Sequence, residues 1–136
     1  MGRKIANKLK AKSVGLSAVI LALTGDLGSG KTTFVQGLAE GLGVKSRIIS
    51  PTFILLKRYE VKLKTPALRN LFHLDLYRLE HNVVEEVKNL GIEEIWNDPE
   101  NIVVIEWAEK IKNHIPKDSI WLFFKYEGDE KRLIIK

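Results

Sequence analysis

Apolar positions along the chain follow two rhythms: unbroken runs of strand length, and recurrences every three or four residues. Near the N-terminus Ile5, Ala6 and Leu9 recur at helical spacing among lysines, which predicts a short amphipathic helix over residues 3–12 with a basic outer face. Residues 17–23 are apolar without alternation, the pattern of a strand covered on both faces. Beyond a glycine-rich stretch, Phe34, Val35, Leu38, Ala39 and Leu42 mark one face of a second helix, which Gly41 and Gly43 are placed to end. The turn Ser50-Pro51-Thr52-Phe53 leads into a strand-like segment over 54–61, Pro66 closes a basic loop, and residues 71–77 form the next strand. Residues 83–90 read as a helix stopped by Gly91, residues 92–96 as a further turn before Pro99, and residues 102–107 as an apolar strand that ends in a carboxylate. Residues 119–126 and 131–135, separated by Glu127-Gly128-Asp129-Glu130, predict a terminal hairpin. This mixed order predicts an α/β protein, a three-layer α/β/α sandwich around a central mixed, partly parallel sheet.

The 136 residues suit one domain, 1–136, around a single core. With no cysteine, disulfides and thiolate metal sites are excluded, and His73, His81 and His114 lack the spacing of a zinc site. A basic start followed by the apolar residues 14–23 imitates a signal peptide, but cleavage near Thr24 would strip the glycine-rich stretch of its strand. The run is too short to span a membrane, and Ala6 stands where a myristoylation signal needs Ser or Thr. A cytoplasmic protein without a membrane partner is expected. The formal charge of +5 conceals segregation: Arg3, Lys4, Lys8, Lys10 and Lys12 open the chain, and Lys57, Arg58, Lys62, Lys64 and Arg69 form a second basic stretch. Between residues 80 and 109 the sign reverses through Glu85, Glu86, Glu93, Glu94, Asp98 and Glu100. Such asymmetry suits a charged partner or a polyanion, and equally the solvated faces of a small protein.

The strongest chemical signal is Gly25-Asp26-Leu27-Gly28-Ser29-Gly30-Lys31-Thr32, which satisfies G-x-x-x-x-G-K-[ST] between a predicted strand and a predicted helix. Its glycines let successive backbone N–H groups converge on a phosphate, to which the helix N-terminus adds partial positive charge. Lys31 can then reach the β- and γ-phosphates of a nucleoside triphosphate, and the Thr32 hydroxyl can ligate Mg²⁺. Average residue frequencies give a chance match in a chain this long of about one in two hundred. ATP with Mg²⁺ is the expected cofactor pair, in a fold of the P-loop NTPase type. Such a site needs a carboxylate at the end of a neighbouring apolar strand. Ile102-Val103-Val104-Ile105-Glu106 supplies one, because burying Glu106 would be costly without a metal or a base beside it. Phe72-His73-Leu74-Asp75 supplies another, although Asp75 could instead pair with Arg78 or His73. Thr52 occupies the loop where P-loop proteins place a residue that senses the γ-phosphate, or else a plain turn shaped by Pro51. Trp107, Tyr77 and Trp96 could stack on a base or belong to the core; Trp107 stands out because it adjoins Glu106.

The phosphate loop together with Thr33, Ser50-Pro51-Thr52-Phe53, His73-Leu74-Asp75-Leu76-Tyr77-Arg78 and Ile105-Glu106-Trp107, in this order, resembles the TsaE family of bacterial P-loop ATPases. The resemblance implies a role in forming threonylcarbamoyladenosine at position 37 of tRNAs that read codons beginning with A. It implies TsaD and TsaB as partners, with tRNA approached only through their complex and ATP hydrolysis resetting that complex. It also implies that Asp26, Leu27, Gly28, Ser29, Gly30, Lys31, Thr32, Thr33 and Trp107 hold the nucleotide. Thr32 and Glu106 would hold the metal, and Lys31, Glu106, Asp75 and Thr52 would serve catalysis. Family members usually carry a further strand ahead of the first helix, so an edge of the sheet or part of the pocket is expected to be incomplete. Two other functions compete: a small-molecule kinase, which would need clustered arginines that Arg47, Arg58, Arg69 and Arg78 do not form, and a basic nucleic-acid-binding module.

Overall fold

The computed structural model describes residues 2–11, 16–25, 30–48, 55–62, 68–127 and 130–135. In chain order the elements are α1 (Gly2–Ala11), β1 (Val19–Gly25), α2 (Lys31–Gly41), β2 (Leu56–Glu60), β3 (Asn70–Asp75), α3 (Val83–Asn89), α4 (Ile92–Trp96), β4 (Asn101–Glu106), a 3-10 segment (Ala108–His114), β5 (Ile120–Glu127) and β6 (Glu130–Ile135). The strands form one sheet in the order β2-β3-β4-β1-β5-β6. Its four central strands β3, β4, β1 and β5 are parallel, and β2 and β6 add antiparallel edges.

The unalternating apolar runs are explained by coverage on both faces. All six residues of β4 are buried, as a central parallel strand requires. Leu21, Leu23, Ile102, Val104 and Leu122 face Phe34, Val35 and Leu38 of α2 together with Ala6 of α1. Ile20, Ala22, Val103, Ile105 and Leu74 face Val87 of α3, Ile92 of α4 and Ile111 of the 3-10 segment. The expected three-layer α/β/α sandwich with a mixed, partly parallel sheet is therefore the observed architecture.

Helix ends follow the expected glycines. Gly43 is left-handed at φ 74° and its N–H donates to the Glu40 carbonyl at 3.1 Å, closing α2. Gly91, at φ 78°, separates α3 from α4. The strand placed over 71–77 ends at Asp75, and two further expectations need correction. The strand placed over 102–107 stops at Glu106, because Trp107 turns left-handed at φ 61°, and the 3-10 segment that follows was not foreseen. The segment placed over 54–61 is a strand only from Leu56 to Glu60, and the turn that holds Thr52 lies outside the described residues.

Helices α1 and α2 meet through small residues. Ala6 is fully buried, and a Cβ added at Gly41 would stand 2.5 Å from the Ala6 Cβ and 3.2 Å from the Arg3 Cα. An ion pair between Arg3 and Glu40 closes the exposed side of the same crossing. Replacing Gly41 by Leu is therefore expected to force the helices apart and destabilise the fold by about 1–3 kcal/mol. Urea unfolding checks this, and an unchanged midpoint would show that α1 is not held at this crossing.

Candidate functional site

At the carboxyl ends of β1, β3 and β4 the sheet gathers the polar residues that its interior excludes. Parallel pairing puts Leu23 beside Glu106 and Glu106 beside Asp75, so the two acids stand in one row across adjacent strands. Period-2 alternation turns both toward the face covered by α2, since Leu71 of β3 and Ile102 and Val104 of β4 belong to that side of the core. Helix α2 begins above this row. Its cap, Gly30, is left-handed at φ 106° and offers no side chain to the first turn, whose leading N–H groups have no partner within the helix. Gly25 ends β1 at φ 137°, where an added Cβ would stand 2.2 Å from the Phe124 carbonyl oxygen, so only glycine fits there.

Lys31 is 4% exposed, an unusual state for an ammonium group. Its Nζ donates to the Gly25 carbonyl at 2.5 Å and lies 3.7 Å from the centre of the Trp107 ring. Both contacts offset lost hydration, one by hydrogen bonding and the other through the negative face of the indole. Thr32, half-buried, directs its hydroxyl to Glu106 Oε1 at 3.3 Å. Glu106 is 3% exposed, and its Oε2 lies 2.5 Å from His73 Nε2, on a ring that is fully buried. The base that a buried Glu106 demands is thus His73.

Asp75 is half-buried, and Oδ1 accepts the Tyr77 backbone N–H at 3.0 Å. The pairing with Arg78 does not form. Burial, reinforced by the Glu106 charge, pushes the Asp75 carboxyl above its ordinary value, against the opposing effects of the Tyr77 N–H, His73 and Lys31. Trp107 holds a backbone conformation that costs a bulky residue about 1–2 kcal/mol, and its ring also meets that of Tyr77 at 5.3 Å. Lys110 braces this corner by donating to the carbonyls of Leu76, Tyr77 and Leu79 at 3.0, 2.9 and 2.7 Å, which pins the turn after β3 to the 3-10 segment.

The structure thus brings Gly30, Lys31, Thr32, Asp75, Glu106 and Trp107 to one corner. Thr33 lies one position further along α2 with its residue exposed, and Asp26, Leu27, Gly28, Ser29 and Thr52 lie outside the described residues. His73 and Lys110 were missed as parts of the site. His73 had a readable signal, since it stands two residues before Asp75 and therefore on the same face of the strand; Lys110 had none, because its partners are main-chain carbonyls.

Residues 1–134 match the family model described as threonylcarbamoyl adenosine biosynthesis protein TsaE. The chain belongs to the TsaE family. It is 37% identical over 115 residues to the tRNA threonylcarbamoyladenosine biosynthesis protein TsaE of Bacillus subtilis, covering 85% of this chain and 66% of that one. Its identity to the Nostoc protein of the same name is 44% over 114 residues, covering 82% and 64%. The chain thus spans about two thirds of the length of these curated TsaE relatives. Among solved structures, YdiB of Bacillus subtilis superposes with a TM-score of 0.65 at 30% identity, over 98% of this chain and 76% of that one.

The raised Asp75 carboxyl has a consequence for stability. The native state binds this proton more tightly than the unfolded chain does, so stability falls as pH rises from the ordinary carboxylate value through the raised one, and the penalty is complete above it. Asp75→Asn keeps an acceptor for the Tyr77 N–H and removes the charge. The variant is expected to melt above the parent near neutral pH, with the advantage vanishing toward about pH 4. Thermal melts across that range test this, and a variant less stable than the parent at neutral pH would contradict it.

Proposed function

We propose that this chain is a single-domain, Mg²⁺-dependent ATPase that acts in forming threonylcarbamoyladenosine at position 37 of tRNAs reading codons that begin with A. It works in the cytoplasm on a TsaD–TsaB complex and meets tRNA only through that complex. The observation that carries the reading is the convergence of Lys31 and Thr32, at the start of α2, on Asp75 and Glu106 at the ends of β3 and β4. Membership of the TsaE family supplies the biological process.

The donor set suits a hard cation. Thr32 and Glu106 offer a hydroxyl and a carboxylate oxygen, the ligand chemistry of Mg²⁺. Among the described residues no group of three His, Cys, Asp or Glu side chains could hold a metal ion, which fits a cation that completes its shell with phosphate oxygens and water. When bound, Mg²⁺ would neutralise charge on the phosphates. Lys31 would leave the Gly25 carbonyl for phosphate oxygens, the N–H groups of the first turn of α2 would bind further oxygens, and Gly25 and Gly30 shape the approach of the backbone. Glu106 and Asp75, abreast in the sheet, would orient the attacking water, and Trp107 covers the lysine.

The kinase alternative is disfavoured by the arginines. Arg47, Arg58, Arg69 and Arg78 are all exposed, with Arg58 bonded to Asn70 and Arg69 paired with Glu100, so none forms a lid over the site. Calorimetric titration with ATP, ADP and GTP in Mg²⁺ is expected to show binding that Lys31→Ala abolishes for the triphosphate. Turnover of the isolated chain is expected to be weak and to rise about 10³-fold or more when TsaD and TsaB are added. A folded chain that ignores every magnesium nucleotide, even beside both proteins, would overturn the reading; equal turnover with and without them would remove the partner role.

A further inference from the structure

We propose that His73 is a positioning residue that fixes the Glu106 carboxylate so that one oxygen always faces Thr32 and the metal-bearing side of the nucleotide; the inference rests on the function proposed above. The carboxylate is divided between two partners. Oε2 meets His73 Nε2 at 2.5 Å, and Oε1 faces the Thr32 hydroxyl at 3.3 Å. The His73 ring is 0% exposed and Glu106 3% exposed, so water does not compete for either group.

The strand register produces this geometry. His73 pairs with Val104 and Asp75 with Glu106, which sets the imidazole one pleat behind the acidic row on the same face. From there it reaches the rear oxygen of Glu106 and leaves the front oxygen to Thr32. The second ring nitrogen decides how the proton is placed. Nδ1 is buried and has no partner among the described residues. A proton there would be an orphaned donor, costing about 1–3 kcal/mol, so in the neutral ring the proton sits on Nε2 and is donated to Glu106. A ring in this tautomer holds the carboxylate in one orientation. Without the donor, Oε2 is buried and unpaired, and the carboxylate turns away from Thr32 to regain a partner.

The experiment compares the parent chain, His73→Leu and His73→Gln. Glutamine places an amide N–H as many bonds from the backbone as Nε2 of histidine, whereas leucine fills space without donating. ATP and ADP affinities are measured by calorimetry in Mg²⁺ and in EDTA, with thermal melts to confirm folding. The gain in ATP affinity on adding Mg²⁺ is expected to fall about 10- to 100-fold in His73→Leu, while affinity in EDTA stays near that of the parent and His73→Gln recovers most of the gain. A folded His73→Leu with the full magnesium gain overturns the proposal, and so does a folded His73→Gln as impaired as the leucine variant, because packing alone would then account for the residue. Should the leucine variant fail to fold, ¹⁵N chemical shifts of the parent's His73 ring decide. A proton on Nε2 with Nδ1 bare supports the proposal, and a proton on Nδ1 overturns it. A parent chain that binds no nucleotide in either buffer removes the nucleotide site and this proposal together, whereas normal parent binding with an unaffected leucine variant removes this proposal alone.

Discussion

A carboxylate at 3% exposure determines how the corner around Glu106 is built. An isolated ionised carboxyl cannot leave water without partners for its oxygens, because the desolvation cost is several kcal/mol or more. Here the partners come from two directions: His73 from the strand alongside and Thr32 from the helix above. The acid thereby ties β4 to β3 and to the first turn of α2, and the three elements that meet at this corner are held by one side chain. Removing either partner would leave a buried charge short of a hydrogen bond, so the corner is specified more strongly than its few polar contacts suggest.

That specification is inherited from the sheet. Parallel pairing of β1, β3 and β4 brings their carboxyl ends to one edge, and the register sets Asp75, Glu106 and Leu23 abreast. A slip of one residue in β4 would turn Glu106 into the opposite core among Ala22, Leu74 and Ile111, where it would meet neither His73 nor Thr32. The apolar residues that fill both faces therefore serve the chemistry indirectly: they make every register but one expensive. Tight crossing of α1 on α2 through Gly41 and Ala6 then fixes the height of α2, and with it Lys31 and Thr32, above the acids.

Much of this was legible because the local signals and the tertiary arrangement agree. Unalternating runs marked β1 and β4, glycines marked the ends of α2 and α3, and the spacing from Gly25 to Thr32 marked the start of the site. What stayed illegible depends on contacts across the sheet. Spacing places His73 on the face that carries Asp75, but it does not announce that the ring will lie under Glu106, since the two are 33 residues apart and meet only through the β3–β4 register. Trp107 read as the last residue of a strand because it closes the apolar stretch over 102–107; its left-handed backbone accompanies the turn into the 3-10 segment and the packing of its ring against Lys31 and Tyr77. Propensity lost there to a tertiary demand, at a position that borders the chemistry.

Charge balance at the corner argues for the dependence on partners. The described side chains there bring two carboxylates, Asp75 and Glu106, against a single ammonium, Lys31, which is already bonded to Gly25 and stacked on Trp107. Lys110, the next cation, is spent on three carbonyls and stabilises a turn instead of a ligand. A triphosphate entering this corner adds negative charge to a site that is already acidic, and phosphoryl transfer needs positive charge around the migrating group. A divalent cation offsets part of this imbalance. With the arginines from Arg47 to Arg78 exposed, the proposed function would leave the remaining charge to a cation from another protein, and hydrolysis would then be quick only where the chain is docked. Burial is the larger cause of the raised Asp75 carboxyl, and the Glu106 charge adds to it; on the proposed function that local acidity would make the isolated domain slow and assembly the step that switches it on.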